Sequence, residues 1–196
     1  MKVVVLQGNN KEIMAGMAAK SLSEGKVLVC PTDTIYGLIG DATNTKTVEK
    51  IFRIKHRRKG KPLGIFVKDI AMAKKIARVS PSQEKFLRRG WPGKVTAVLH
   101  VKGKFPKGIG TKETIGMRVP NYPFVDLLFK KFNHALAQTS VNISETPPLK
   151  RVKDMVRVFG KRRWKPDFIF DAGTLPPSRP STVIDITKEK SVVLRR

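Results

Sequence analysis

Residues 26–56 read KVLVCPTDTIYGLIGDATNTKTVEKIFRIKH. The β-branched, apolar run from Lys26 to Cys30 predicts a strand. Further along, Val48, Ile51 and Phe52 fall on one face of a predicted helix over 45–56, which directs Lys50, Arg53 and Arg57 elsewhere. Between the two lies a connection that is longer and more particular than most. It brings Thr32, Asp33, Thr34 and Tyr36 to the mouth of the strand and follows them with Gly37 and Gly40. Strand, chemically rich connection and amphipathic helix together make an α/β unit.

The same alternation runs through the rest of the chain. Strands are predicted near 2–6, 26–30, 64–67, 95–101, 115–119, 135–139, 168–170, 182–187 and 191–195. Helices are predicted near 10–24, 45–56, 69–77, 81–89, 122–132 and 151–159. The clearest helix start is "SPSQ", with Ser80 as N-cap, Pro81 in the first turn and Gln83 three residues after the cap. No repeat, composition shift or Gly/Ser linker interrupts the 196 residues, and the Pro-rich stretches at 144–150 and 175–181 are short enough for ordered loops. The expectation is one α/β domain spanning 1–196.

Charge is the unusual bulk property. Forty Lys and Arg against 15 Asp and Glu give a net charge of +25, so polyanions such as nucleotides, nucleic acid or acidic lipid are natural partners. One cysteine, Cys30, excludes an internal disulfide and a cysteine-based zinc cluster, and His56, His100 and His134 lie too far apart for metal-ligand spacing. The N-terminal MKVVVLQGNN is too short an apolar run for a signal peptide, and no stretch approaches a membrane span. A cytoplasmic location is the expectation, with no membrane partner.

Two basic clusters stand out. Residues 50–61 (KIFRIKHRRKGK) hold seven Lys or Arg, and residues 150–165 (KRVKDMVRVFGKRRWK) hold eight against one acid. The first can gather cations around a phosphate chain. The second sets Trp164 between Arg163 and Lys165, a mixture suited to a phosphodiester backbone with occasional stacking. The plain alternative for both is a solvated helix face. Familiar nucleotide motifs are missing: "GIGTK" at 108–112 is not a Walker loop, and no Gly-x-Gly-x-x-Gly follows the first strand. No Ser-His-Asp set or catalytic carboxylate pair is argued by the order of residues. The candidates are instead dispersed at predicted strand ends, namely Thr32, Thr34, Arg118, the "QTSVN" segment 138–142, Ser181 and Arg195.

Six blocks, PTDTIYGL, IKHRRKGKPL, WPGKVTAVL, TIGMRVPNYP, ALAQTSVNIS and RPSTVID…LR, stand in the order and spacing of the YrdC/TsaC family, the threonylcarbamoyl-AMP synthases. The chain resembles that family from about residue 10 to the C-terminus. The resemblance implies a twisted mixed β-sheet flanked by helices, with a basic concave face. It implies condensation of L-threonine, bicarbonate or CO2 and ATP to threonylcarbamoyl-AMP and pyrophosphate. Magnesium is implied with the ATP, and a partner transferase would pass the threonylcarbamoyl group to tRNA.

Matched position by position, Lys55 and Arg57 fall on the family's Lys-x-Arg motif, with Lys61 beside them. They would hold phosphate and act electrostatically, without a general base, and both read as solvent-facing. Thr114, Ser140, Asn142 and Arg195 fall where the family contacts nucleotide. Thr34, Arg118, Gln138 and Ser181 fall where it contacts threonine. Arg118 would clamp the carboxylate, and Gln138 would act through its backbone. In the connection itself, Tyr36 would supply a packing face with a polar tip and Asp33 would order its own turn.

Four departures accompany the match. Arg58 replaces a common proline, Phe66 replaces a common histidine, and VNISETPP replaces ANxSGxxSP, which unsettles the contact at Pro148. The chain also stops at Arg196, as in short forms that lack an extra C-terminal domain. Two other readings remain. One is an RNA-binding module, with tRNA or double-stranded RNA as ligand, that uses the same basic groove. The other, a carbamoyl-transfer protein of hydrogenase maturation, ranks last, because one cysteine and 196 residues leave no room for zinc-finger segments.

Overall fold

The computed structural model describes residues 1–58 and 60–196, so Lys59 of the first basic cluster lies outside the described residues. All six predicted helices form: α1 (Lys11–Ser23), α2 (Thr45–Lys55), α3 (Ile70–Ile76), α4 (Pro81–Gly90), α5 (Pro123–Lys131) and α6 (Val152–Phe159). Their starts follow local chemistry. The Asn44 side chain accepts from the Thr47 amide and caps α2, as Asp69 does for α3 from Met72. At α4 the expected capping box closes, with Ser80 Oγ accepting from Gln83 N (3.2 Å) and Gln83 Oε1 accepting from Ser80 N (2.8 Å).

Ten strands form one mixed sheet: β1 (Lys2–Val5), β2 (Leu28–Cys30), β3 (Gly37–Asp41), β4 (Gly64–Phe66), β5 (Val95–His100), β6 (Thr114–Arg118), β7 (Leu136–Ser140), β8 (Phe168–Asp171), β9 (Thr182–Asp185) and β10 (Val192–Arg195). The spatial order is β1-β8-β2-β3-β7-β4-β6-β5-β9-β10. Nine strands match the sequence expectation, and β3 does not. Residues 37–41, read as part of a loop, pair antiparallel with both β2 and β7 near the middle of the sheet. Two glycines in five residues hide a strand from propensity. Packing explains Gly40, since a Cβ there would lie 2.4 Å from the Thr47 side chain on α2.

Alternation along the strands sorts the core into two layers. Val29, Leu38, Ile65, Ala97, Met117, Ala137 and Ile169 face α2, α3, α4 and α6. Leu28, Cys30, Ile39, Phe66, Leu136 and Phe170 face the other way, where they pack with Ala15, Ala18 and Leu22 of α1 and Phe124, Leu128 and Phe129 of α5. These two helices pack against each other over β8, β2 and β3, and their edge reaches Leu136 on β7 and Phe66 on β4. Over β7, β4, β6, β5 and β9 the same face opens into a groove.

Candidate active site

The groove has a volume of about 490 Å3. Its floor is the alternate set of residues on the open half of the sheet: Gly64 on β4, Thr96 and Val98 on β5, Thr114 and Gly116 on β6, Gln138 and Ser140 on β7. Glycine at 64 is a spatial requirement. A Cβ there would sit 3.1 Å from the Gly116 carbonyl oxygen and 3.2 Å from Gln138 Nε2. The 32–37 connection walls one end, and Ser181, Val183, Leu194 and Arg195 wall the other. Among the described lining residues, Arg57, Arg118 and Arg195 carry charge and no carboxylate opposes them.

Arg118 ends β6 and is 3% exposed. It is held by Nε donating to Gly93 O (2.8 Å), Nη1 to Thr34 Oγ1 (3.1 Å) and Nη2 to Asp33 Oδ1 (2.5 Å). The Phe66 ring lies beside it, with Cζ 5.8 Å from the ring centroid, so the departure from histidine places an apolar ring beside the guanidinium. Burial lowers the Arg118 pKa, and Asp33 pulls it back up. This corrects the sequence reading of Asp33. Its bonded partner is the Arg118 guanidinium rather than its own turn. Tyr36 is buried as a packing residue, with its hydroxyl donating to Gly173 O (2.7 Å) and accepting from Ala172 N (3.0 Å).

At the opposite wall, Ser181 Oγ lies 2.8 Å from Thr96 Oγ1, and Arg195 Nη2 donates to Ser181 O at 2.8 Å. On the rim, Arg57 is half-buried and anchored through Nε to Lys61 O (2.7 Å) and Nη2 to Pro62 O (3.0 Å), and burial lowers its pKa. Thr114 pairs with Thr111 across a hydroxyl contact of 3.0 Å.

Eight of the eleven expected site residues line the groove: Arg57, Thr114, Ser140, Arg195, Thr34, Arg118, Gln138 and Ser181. Lys55, Asn142 and Lys61 lie off it. Lys55 is 1% exposed, contrary to the solvent-facing expectation. Its Nζ donates to Ser140 O (2.6 Å), Asn142 O (3.1 Å) and Asn142 Oδ1 (2.7 Å), which uses all three ammonium protons. Burial, and then Arg57, lower its pKa to about 7. Asn142 is equally committed: Oδ1 also accepts from Ser140 Oγ (2.7 Å), and Nδ2 donates to Ile143 O and Thr146 O. Both residues therefore shape the 140–146 turn. Lys61 is exposed, with its Nζ 3.6 Å from Glu145 Oε1. Arg58 is also exposed, 3.9 Å from the same carboxylate.

Gln138, expected to act through its backbone, also presents its side chain to the groove. Its backbone lies in the ladder between β3 and β4, and its side chain overlies Gly64. Thr96, Thr111 and Gly116 line the groove without having been singled out. Period-2 alternation from Arg118 back through Gly116 to Thr114 would have found the second glycine.

Away from the groove, the C-terminal end of α2 meets the turn after α6. The Arg53 Cζ is 4.6 Å and the Arg163 Cζ 5.7 Å from the Trp164 ring centroid, and Arg162 Nη1 is 3.5 Å from His56 Nε2. Among the described residues, no group of three or more His, Cys, Asp or Glu is arranged to hold a metal, and no helix is long and apolar enough to cross a membrane.

Comparison with known proteins converges on one group. The Sua5/YciO/YrdC family model, described as telomere recombination, matches residues 20–196. A protein of Methanocaldococcus jannaschii, provisionally named a threonylcarbamoyl-AMP synthase, is 32% identical over 195 residues, which is 100% of this chain and 91% of that one. The threonylcarbamoyl-AMP synthase of Bacillus subtilis is 30% identical over 193 residues, 97% of this chain and 54% of its own. The crystal structure of Pyrococcus abyssi Sua5 complexed with L-threonine superposes with a TM-score of 0.90 at 29% identity, covering 100% of this chain and 57% of that one. The chain thus spans nearly all of one relative and about half of the other two.

Proposed function

The chain belongs to the Sua5/YciO/YrdC family, and on that premise we propose that it is a threonylcarbamoyl-AMP synthase. The reaction joins L-threonine, bicarbonate or CO2 and ATP. The threonine amine adds to the carbon source to give a carbamate, releasing water from bicarbonate or a proton with CO2; a carbamate oxygen then attacks the α-phosphorus of ATP, and pyrophosphate leaves. The observation that carries the proposal is a single groove that gathers three arginines and a row of hydroxyls with no lining carboxylate. A carbamate is already a nucleophile, so the site needs positioning and charge stabilisation rather than a protein nucleophile or a general base.

Arg118 and Thr34, with Gln138 on the groove floor and Ser181 at the opposite wall, receive threonine. Arg118 keeps one uncommitted N–H on each terminal nitrogen for the carboxylate. Arg57, Thr114, Ser140 and Arg195 receive the nucleotide. Lys55 and Asn142 act one step back by holding the 140–146 turn, and Lys61 contributes through the carbonyl that anchors Arg57. The groove offers no carboxylate for magnesium, so the residues do not fit a protein-held Mg2+ site; the ion would enter on the triphosphate as part of the substrate. The product's natural consumer is a transferase that modifies tRNA, and a cytoplasmic location accords with both.

The test is pyrophosphate release from ATP in the presence and absence of threonine and of bicarbonate. Release should require both, and Arg57→Ala should lower it by about 100-fold, the scale of losing one transition-state donor. Release that ignores threonine sinks the assignment.

A second, compatible reading is tRNA docking on the face formed by α2 and the turn after α6, favoured by the two guanidinium groups placed against Trp164. Charge reversal of Arg162 and Arg163 should weaken tRNA binding and flatten its salt dependence. Unchanged affinity removes this reading and leaves the enzyme reading intact.

A further inference from the structure

Arg118 stands at one end of a chain of hydrogen bonds that closes on a peptide carbonyl. A guanidinium can only donate and a peptide carbonyl can only accept. Between these two fixed ends run two threonine hydroxyls. Thr32 Oγ1 donates to Ile35 O (2.7 Å) and accepts from Thr34 N (3.1 Å), so its one proton is spent. The 3.0 Å contact between the two hydroxyls is therefore donated by Thr34. Arg118 Nη1 donates to that same Thr34 oxygen. The chain is one-way: Arg118 to Thr34 to Thr32 to Ile35. What Thr34 has left for a ligand is a lone pair, which suits an ammonium or hydroxyl and repels a carboxylate.

The Ile35 carbonyl sets the direction of the chain, and the guanidinium at its other end is held separately. Its own side chain is 4% exposed, and the Asp33 side chain is 11% exposed. Asp33 Oδ1 takes an Nη2 proton, whereas Oδ2 is buried with no hydrogen-bond partner among the described residues. A half-satisfied buried carboxylate is costly, and such a group calls for a reason. Neutralising a buried arginine supplies part of one, but a second use fits the geometry better. Gly93 O holds the guanidinium at Nε, Phe66 lies beside it, and Asp33 fixes its rotation.

We propose that Asp33 is a positioning residue: it holds Arg118 so that its remaining N–H groups meet the amino-acid carboxylate beside the Thr34 lone pair. This rests on the threonine-binding reading of the groove. Asp33 itself does not line the groove, so its effect passes through Arg118.

Steady-state kinetics of the full chain test the proposal. Asp33→Ala should raise KM for threonine on the order of 10- to 100-fold, the scale of one charge-assisted hydrogen bond. KM for ATP and kcat at saturating threonine should stay within about 3-fold of wild type. Asp33→Asn keeps an acceptor oxygen and loses the charge, so its threonine KM should fall between the two. If Asp33→Ala fails to fold, Asp33→Asn decides alone: a rise confined to threonine supports the proposal. An unchanged threonine KM in a folded variant, or an equal rise for ATP, overturns it. A purely structural ion pair would lower the melting temperature and leave both KM values alone. If wild type shows no threonine-dependent turnover, the functional reading fails and takes this proposal with it; if wild type is normal and both variants are too, only the proposal falls.

Discussion

One face of the sheet is two different surfaces. Over β8, β2 and β3 it carries Leu28, Cys30, Ile39 and Phe170 and is sealed by α1 and α5. Over β6, β5 and β9 it carries Thr114, Gly116, Thr96 and Val183 and is open. The border runs through single strands: on β7, Leu136 is buried under the helices, while Gln138 and Ser140, on the same side of the strand, floor the groove. On β4 the change occurs between Phe66 and Gly64. Strand alternation decides which face a residue joins, but the cover above it decides whether that residue stabilises the fold or meets a ligand.

The sharpest way to break this comparison is to truncate one residue on each side of the border within β7. Leu136 is fully buried, so Leu136→Ala should cost about 2–5 kcal/mol in unfolding free energy, with turnover per folded molecule little changed. Ser140→Ala should cost about 1 kcal/mol or less and cut threonine-dependent turnover roughly 10-fold, because it frees the turn that Asn142 holds. Urea unfolding beside pyrophosphate assays reads both. If the two variants lose stability and activity in the same proportion, the border is not functional.

Gly64 gives the next effect. A methyl at this position meets the Gly116 carbonyl at 3.1 Å and the Gln138 amide at 3.2 Å, and the side chain is the partner able to move. Gly64→Ala should therefore cost about 1–3 kcal/mol from overpacking. It should also push Gln138 up into the groove and raise KM for threonine or ATP. Normal KM values with lowered stability would assign Gly64 to packing alone.

How far the sequence reveals this division depends on what each residue's pattern encodes. The helices were legible from their amphipathic patterning, and α4 also because Ser80 carries its capping chemistry locally; the Asn44 and Asp69 caps emerged only with the structure. β3 was not legible, because Gly37 and Gly40 answer to neighbours distant in sequence, Gly40 to the packing of α2. In the site, arginines and hydroxyls were found at predicted strand ends, and the six matched blocks gave them expected roles. Their partners were not found: nothing local says that Asp33 reaches Arg118, 85 positions away, or that Thr96 reaches Ser181. Lys55 was misplaced for a related reason. A lysine in a basic run reads as solvated, and its burial becomes visible only once the 140–142 turn has been folded over it.

That burial sets the effect that is smallest at any one pH step, and Lys55 serves the groove from α2, which covers the sheet's other face. Burial and the Arg57 guanidinium lower its pKa from an ordinary 10.5 to about 7. Between those values the unfolded chain holds a proton that the native state has released, so native stability rises with pH across that window. Below about 7 both states are protonated and the contribution is flat. Lys55→Met removes the group and its slope. The stability difference between wild type and K55M, measured by urea unfolding from pH 6.5 to 9.5, should therefore shift toward wild type as pH rises, by at most about 1.4 kcal/mol per pH unit for one proton. Three oxygen acceptors pull the other way, because each favours the ammonium. A difference that does not change with pH would mean that these acceptors win and Lys55 stays charged throughout. The open half would then gain a fourth positive charge behind its three arginines, and Lys55 would act on the nucleotide by its field as well as by holding the turn.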